Sequence, residues 1–75
     1  MKPMETLLEI IQNFTQADAE SFTEHTNLRR DLGLDSLQIA AIAGEVEDAF
    51  GVEITDAEAA DAATVGDLLR LAQRE

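Results

Sequence analysis

The sequence predicts an all-α fold: a small four-helix bundle with three longer helices, one short helix and a long first loop. Three observations favour this class. Apolar residues recur at helical spacing in separate segments, residues that cap helices precede most of those segments, and no segment has the alternating pattern of a strand. A chain of 75 residues has the length of one modest domain, so we expect residues 1–75 to fold as a single domain.

The first helix is predicted from about residue 3 to about residue 15, with Pro3 in its first turn. Its apolar residues at helical spacing are Met4, Leu7, Leu8, Ile11 and Phe14. From Thr15 to Arg30 this pattern fades into polar residues, among which Phe22 and Leu28 are expected to anchor a long loop to the helices. Loops of this length are uncommon in compact domains and are often functional.

The second helix is predicted to begin after Asp35 and to end near Gly51. Asp35 is a favourable N-cap, and Gln38 stands three residues on, where its side chain completes a capping box. Phe50 followed by Gly51 fits a last helical residue and a left-handed C-terminal glycine. The apolar surface of this helix comes from Leu37, Ile39, Ile42, Val46, Ala49 and Phe50.

Two further helices are predicted in the last third of the chain. A short one runs from Asp56 to about Asp61, with Thr55 or Asp56 as its cap. The last begins after Thr64, with Asp67 three residues on. Its buried side is expected to contain Val65, Leu68, Leu69 and Leu71 or Ala72.

Acidic residues outnumber basic ones by sixteen to five and give a formal net charge of −11. Such a charge repels nucleic-acid phosphates and anionic lipids, so partners should be basic proteins. All five basic residues lie outside the stretch from Asp31 to Asp67, and we therefore expect nothing to neutralise its carboxylates. A solvated surface that maintains solubility is the alternative to a docking surface.

Few residues offer catalytic or metal-binding chemistry. The chain has no cysteine, Ser36 does not lie in the G-x-S-x-G elbow of a hydrolase, and a lone His25 in a polar loop is typical of an ordinary surface residue. Gly33 occupies a position where a calcium loop needs an oxygen ligand, so we predict no metal site. A carrier or interaction role is favoured over catalysis. Without a signal peptide or membrane-length apolar stretch, cytoplasmic localisation is expected.

The remaining motif is Asp31-Leu32-Gly33-Leu34-Asp35-Ser36-Leu37 near mid-chain. It resembles the phosphopantetheine attachment motif of acyl carrier proteins, in which the serine of an Asp-Ser-Leu triplet begins the second helix. The acidic helix that ends in Phe50-Gly51, the segment Val52 to Ala59 and the segment Ala63 to Leu68 also resemble that family. The resemblance covers residues 3 to 73. A serine in a first helical turn also suits an attached phosphodiester, which the helix dipole favours.

The resemblance implies that a phosphopantetheinyl transferase attaches 4'-phosphopantetheine to Ser36, flanked by Asp35 and Leu37, and that the arm carries acyl groups as thioesters. It further implies a monomer that serves the acyl-transferring and chain-extending enzymes of fatty acid, polyketide or specialised lipid synthesis, which have basic docking patches. The residues expected to recognise those partners are Glu45, Glu47, Asp48 and Asp56. The residues expected to line an acyl cleft are Ile39, Ile42, Val46, Ile54, Ala59, Ala62 and Leu68.

One departure from the family pattern concerns the pathway. Bacterial fatty-acid carriers usually have acidic residues soon after the serine, whereas this chain has Gln38, Ile39, Ala40 and Ala41. We expect Gln38 and Ala41 to face outward, and the neutral segment favours a dedicated carrier for a polyketide or specialised lipid. Two alternatives stay open, an aminoacyl or peptidyl carrier and an unmodified acidic interaction domain.

Overall fold

The first helix, α1, spans Pro3–Gln12 in a computed structural model that describes residues 2–74 apart from the side chain of Ala19. Pro3 occupies the first turn, where its missing N–H needs no partner. The helix ends at Gln12 rather than near residue 15, because the next two amides bond three residues back instead of four. Asn13 N–H donates to Ile10 O at 3.2 Å, and Phe14 N–H donates to Ile11 O at 2.9 Å.

The other three helices begin where the sequence predicts. Helix α2 spans Ser36–Phe50, α3 spans Asp56–Asp61 and α4 spans Val65–Gln73. The predicted ends of α2 and α3 are also correct, whereas the sequence predicts no end for α4. Each of the three begins with a complete capping box, whose N-caps are Asp35, Thr55 and Thr64. Helix α2 ends at Phe50 and is followed by Gly51, which has a φ of 68°, a left-handed conformation that glycine adopts without a steric penalty.

The long loop between α1 and α2 is anchored at the two predicted positions. Phe22 and Leu28 are both buried, with 8% and 0% of their surface exposed. The loop also contains one turn of 3₁₀ helix, Ala19–Ser21, which apolar periodicity did not indicate because a single turn is too short to repeat. The buried side chains hold the loop to the bundle.

The main chain of this loop is joined directly to the start of α4. Val65 N–H donates to Thr26 O at 3.0 Å, and Gly66 N–H donates to Glu24 O at 2.8 Å. A Cβ atom added at Gly66 would lie 2.8 Å from that same Glu24 carbonyl oxygen. The loop approaches α4 so closely that only glycine fits at position 66 without a shift of the backbone.

One apolar core holds the helices together, and every α-helix contributes to it. Its largest fully buried side chains are Leu7, Ile11, Leu28, Ile39, Ile42, Leu68, Val46 and Val65. The Cα radius of gyration of 10.8 Å is close to the value of about 11 Å expected for a compact chain of this length. Between residues 2 and 74 there is no β-strand, and no helix is long and apolar enough to cross a membrane.

Candidate functional site

Ser36 is the first residue of α2, and its side chain lies at the protein surface. The preceding residue, Asp35, fixes the helix start, because its Oδ1 accepts a hydrogen bond from Gln38 N–H at 2.8 Å. Gln38 Oε1 in return accepts from Asp35 N–H at 3.0 Å. The hydroxyl of Ser36 is thus presented to solvent from a rigid, capped helix end.

The turn before α2 is held by Asn27. Its Oδ1 accepts hydrogen bonds from Arg29 N–H at 3.0 Å and Arg30 N–H at 2.7 Å, while its own N–H donates to Asp31 Oδ2 at 2.8 Å. Gly33 N–H donates to Arg29 O at 3.1 Å, and Gly33 has a φ of 69°. This left-handed residue turns the chain back towards α2, and Arg29 lies close to the helix start.

The guanidinium of Arg29 contacts the candidate serine. Arg29 Nη2 donates a hydrogen bond to Ser36 Oγ at 3.3 Å, across seven residues of sequence. The sequence interpretation did not assign Arg29 a role, and no short motif would have done so. The contact depends on the path of the turn rather than on residue spacing.

The surroundings of Ser36 suit an attached phosphodiester. The N–H of Ser36 and that of Leu37, in the first turn of α2, have no acceptor among the hydrogen bonds of residues 2–74, as is usual at a helix N-terminus. These N–H groups, the positive end of the helix dipole and the Arg29 guanidinium all favour an anion at this place. Leu37 is 82% exposed beside Ser36, so its apolar side chain is also available to an attached group or a partner.

His25 does not take part in this arrangement. Its side chain is 87% exposed, and its Nε2 lies 3.5 Å from Glu24 Oε1. Among the described residues, the hydrogen-bond partner of the Ser36 hydroxyl is Arg29, a donor that accepts no proton at ordinary pH. The hydroxyl of Ser36 thus has no general base in hydrogen-bond contact with it within residues 2–74.

The expectation that nothing neutralises the carboxylates between Asp31 and Asp67 is wrong for three of them. Three arginines that lie outside the stretch pair with its carboxylates. Arg30 Nε lies 3.7 Å from Asp31 Oδ1, Arg70 pairs with Asp67, and Arg74 pairs with Glu58. Only the pair of Arg74 with Glu58 depends on the fold, since these residues stand sixteen apart. The other two pairs join residues that are adjacent or three apart in sequence, so they are local.

Hydrogen bonds hold two of these carboxylates in their charged form. The Arg74 guanidinium, together with Thr55 N–H, lowers the pKa of Glu58 to about 2. The pKa of Asp67 is lowered chiefly by Ala63 N–H, which donates to its Oδ2 at 2.8 Å, with a further contribution from Arg70. Arg74 also donates to the main-chain carbonyl of Glu53 and so connects the end of α4 to the segment before α3.

The four residues predicted to recognise partners differ in their environments. Glu45, Asp48 and Asp56 are exposed and form no salt bridge with any basic side chain of residues 2–74. Glu47 is half-buried, and its Oε2 accepts a hydrogen bond from Ile54 N–H at 3.2 Å. Glu47 thus has a structural role, since it fixes the segment between α2 and α3. No three His, Asp or Glu side chains in the described range come together as a metal site.

The seven residues predicted to line an acyl cleft are all buried in this structure. They are Ile39, Ile42, Val46, Ile54, Ala59, Ala62 and Leu68. These side chains belong to one continuous apolar core. Ala62 also borders a surface pocket of about 350 Å³ between α3 and α4, whose other walls include Glu58, Asp67 and Leu71.

Gln38 does not face outward, contrary to the sequence expectation. It is half-buried, and besides capping α2 its Nε2 donates to Phe14 O at 3.4 Å. Ala40 and Ala41 are exposed, whereas Ile39 is buried. Within the neutral segment from Gln38 to Ala41, the exposed residues are therefore the two alanines.

Comparison with known proteins places the chain in a family and finds similar solved structures. The sequence model of the family described as "Phosphopantetheine attachment site" matches residues 5–72, a range that includes Ser36 and its turn. The chain is also similar to a solved structure of the acyl carrier protein from Enterococcus faecalis. That structure was described in connection with the protein's high thermal stability. The two share 31% sequence identity with a TM-score of 0.80, over 93% of this chain and 89% of that one.

Proposed function

Because the chain belongs to the acyl carrier proteins of the phosphopantetheine attachment-site family, whose cofactor is 4'-phosphopantetheine, we propose that Ser36 carries this arm. The observation that carries the proposal is the exposed Ser36 hydroxyl at the capped start of α2, beside the Arg29 guanidinium. Proteins of this kind are carriers and not catalysts. The chain would accept the arm from coenzyme A through a phosphopantetheinyl transferase.

The arm, when bound, supplies a terminal thiol that holds acyl groups as thioesters. The protein's own residues provide the rigid base for it. Asp35 and Gln38 cap α2 reciprocally, so the attachment oxygen is held at a fixed place on the surface. Gly33 has open space where a Cβ would stand, which favours close approach by a modifying enzyme.

Delivery of the cargo to acyl-transferring and chain-extending enzymes would use the exposed carboxylates of α2 and α3. Glu45, Asp48 and Asp56 are supported as docking residues by their exposure and by the absence of a basic partner within residues 2–74. Charges of this kind attract a basic patch and accelerate encounter more than they strengthen the final complex. Glu47 would act indirectly, by fixing the segment that begins α3.

Shelter of an acyl chain would require the core to open near α3. This helix has six residues, and Ala59 is its one buried residue, so its displacement exposes little apolar surface. Movement of α3 would then separate Ala59 from the other predicted cleft residues and open a space between them. Arg74, which bonds to both Glu53 O and Glu58, would hold the segment closed in the absence of cargo.

The pathway proposed is that of a dedicated carrier for a polyketide or specialised lipid. The exposed, uncharged Ala40 and Ala41 support it, because they lie in the first two turns of α2, after the attachment site. An aminoacyl or peptidyl cargo is the competing outcome. Mass analysis of the thioester on protein taken from its native host distinguishes these cargoes.

The attachment itself is tested by incubation with coenzyme A and a promiscuous phosphopantetheinyl transferase, followed by intact-mass measurement. The chain contains two serines, Ser21 and Ser36. We expect wild type and Ser21→Ala to gain the mass of one arm and Ser36→Ala to gain none while remaining folded. A modified Ser36→Ala protein would refute the assignment. Wild type that stays unmodified, under conditions that load another carrier, would favour the unmodified interaction domain.

A further inference from the structure

Arg29 differs from every other basic side chain of the protein. The other four each lie within 4.0 Å of a carboxylate, in the pairs Lys2–Glu5, Arg30–Asp31, Arg70–Asp67 and Arg74–Glu58. Arg29 forms no such pair among residues 2–74, although the chain has sixteen acidic residues. Its guanidinium instead contacts the hydroxyl oxygen of Ser36.

Hydrogen bonds hold the main chain of Arg29 at both its N–H and its carbonyl group. Its N–H is bound by Asn27 Oδ1, and its carbonyl accepts from Gly33 N–H. The neighbouring Leu28 and the later Leu34 are 0% and 3% exposed, so both ends of the turn are buried in the core. The turn thus fixes where the Arg29 side chain starts, and only the side chain itself needs to move.

We propose that the Arg29 guanidinium binds the phosphodiester of the arm at Ser36 and thereby orients the first bonds of the arm. This inference rests on the proposed function. The arm's phosphorus would be bonded to Ser36 Oγ itself, so a group already in contact with that oxygen lies next to the phosphate. Arginine is always charged and has a fork of N–H donors that matches the oxygens of a phosphate.

The charges around Ser36 leave the Arg29 guanidinium as the cation that attracts the phosphate of the arm. Asp35 adjoins Ser36, but its carboxylate is engaged by Gln38 N–H in the helix cap. The remaining acidic surface would repel a phosphodiester added to a chain of net charge −11. Arg29 supplies the attraction on the side of the turn, and the phosphate is therefore held there, away from the acidic part of α2.

The contact should be populated but not permanent, because Arg29 is exposed. Exposed charged pairs favour the bound arrangement by a factor of roughly 1.5 to 5. The phosphate and guanidinium would exchange rapidly between bound and free arrangements. The arm would remain mobile, but its first bonds would point towards Arg29 more often than in other directions.

The experiment compares apo and holo protein by nuclear magnetic resonance. In the ¹⁵N spectrum, modification should shift the Nε–Hε signal of Arg29 and leave that of Arg30 in place. In the ³¹P spectrum of holo proteins, Arg29→Ala should move the phosphodiester signal, Arg29→Lys should move it less, and Arg30→Ala should not move it. Arg30 is the matched control, since it lies in the same turn but pairs with Asp31.

The salt dependence of the ³¹P signal gives a second readout. Raising NaCl from about 0.01 M to about 1 M shortens the screening length from about 30 Å to about 3 Å. The wild-type ³¹P signal should then move towards its position in Arg29→Ala, whose own signal should depend less on salt.

Intact mass is recorded on every sample. A missing arm refutes the proposed function. An arm on Ser36 with the same ³¹P signal in wild type and Arg29→Ala, and an unshifted Arg29 Nε–Hε signal, overturns this inference alone.

Discussion

Gln38 Nε2 donates a hydrogen bond to the main-chain carbonyl of Phe14 at 3.4 Å, across twenty-four residues of sequence. The same side chain accepts from Asp35 N–H through Oε1. One amide group thus caps α2 and ties it to the chain that leaves α1. The position of the attachment site relative to the first helix depends in part on this side chain.

Gln38→Glu tests the tie to Phe14 separately from the cap. Glutamate retains an oxygen for Asp35 N–H but has no donor for the Phe14 carbonyl, so we expect a loss of about 0.5–1.5 kcal/mol in the free energy of unfolding. For a domain of this size a loss of 1 kcal/mol lowers Tm by about 4–8 °C. Ala41→Glu adds the same charge at an exposed position of α2 and should change the free energy of unfolding by less than about 0.5 kcal/mol. Equal losses in the two variants would indicate a general charge effect and contradict the tie.

Glycines 44 and 66 should respond to alanine with opposite signs. Gly44 lies inside α2 with nothing within 4 Å of an added Cβ, so Gly44→Ala should raise the free energy of unfolding by about 0.5–1 kcal/mol through helix propensity. At Gly66 the new Cβ would lie 2.8 Å from the Glu24 carbonyl oxygen. Displacing that loop should cost about 1–3 kcal/mol and outweigh the gain in propensity. Urea unfolding of both variants measures this, and stabilisation by Gly66→Ala would show that the loop is not held against α4.

The pair between Glu58 and Arg74 should make stability depend on acid pH. The pKa of Glu58 is lowered from 4.5 to about 2 in the folded protein, chiefly by Arg74. A lowered folded-state pKa contributes stability that is fully present above the unfolded value and is lost as pH falls through the folded one. The difference in stability between wild type and Glu58→Gln should therefore be constant above about pH 4.5 and shrink towards pH 2.

Glu58→Gln suits this comparison because the amide retains an oxygen for Thr55 N–H, which Glu58 Oε1 accepts at 2.9 Å. Repeating the substitution in an Arg74→Ala background supplies the control. There the effect of Glu58→Gln should lose most of its pH dependence. Thermal melts at a series of pH values measure both differences. A wild-type advantage that stays constant from pH 5 down to about pH 2 would show that the pair does not hold the Glu58 charge.

The helix starts could be predicted because their determinants are local. Pro3, the capping boxes of Asp35 and Thr64, and the glycine after Phe50 act within four residues of the chain, and each appears in the structure as expected. For α3 the sequence allowed Thr55 or Asp56 as the cap, and the structure has Thr55. The predicted end of α1 was less accurate. The apolar pattern continues to Phe14, whereas from Asn13 onward the amides bond three residues back instead of four. Periodicity records which side chains are buried and not where a helix ends.

The interactions around the candidate site could not be predicted, because their determinants are not local in sequence. Gln38 with Phe14, Arg74 with Glu58 and Arg29 with Ser36 join residues that are close only after the chain has folded. A motif predicted Ser36 as an attachment residue, but it contained no information on the arginine beside it. Carboxylates such as Glu45 and Glu47 look alike in sequence, and only the fold distinguishes the exposed one from the one bound to Ile54 N–H.

The last prediction concerns the neutral surface after Ser36. Ala41 is exposed on α2, and a glutamate is well tolerated there because it is a good helix former. If a basic patch of fatty-acid enzymes meets carboxylates at this position, holo Ala41→Glu should be the better substrate for a fatty-acid ketoacyl synthase. One exposed ion pair supports a gain of roughly 1.5- to 5-fold in kcat/KM. The gain should come mainly from faster association and should decline as salt is raised.

Gln16→Glu supplies the matched control, because it adds the same charge at an exposed position of the loop that follows α1. We expect this variant to retain the wild-type kcat/KM, which separates a local ion pair from general attraction by net charge. Intact mass and thermal melts verify that both variants carry the arm and fold equally well. Equal or slower turnover of Ala41→Glu by the fatty-acid enzyme would mean that the alanines do not limit docking. The dedicated-carrier proposal would then fail, while membership of the acyl carrier protein family would be unaffected, since it rests on the match over residues 5–72 and on the shared fold.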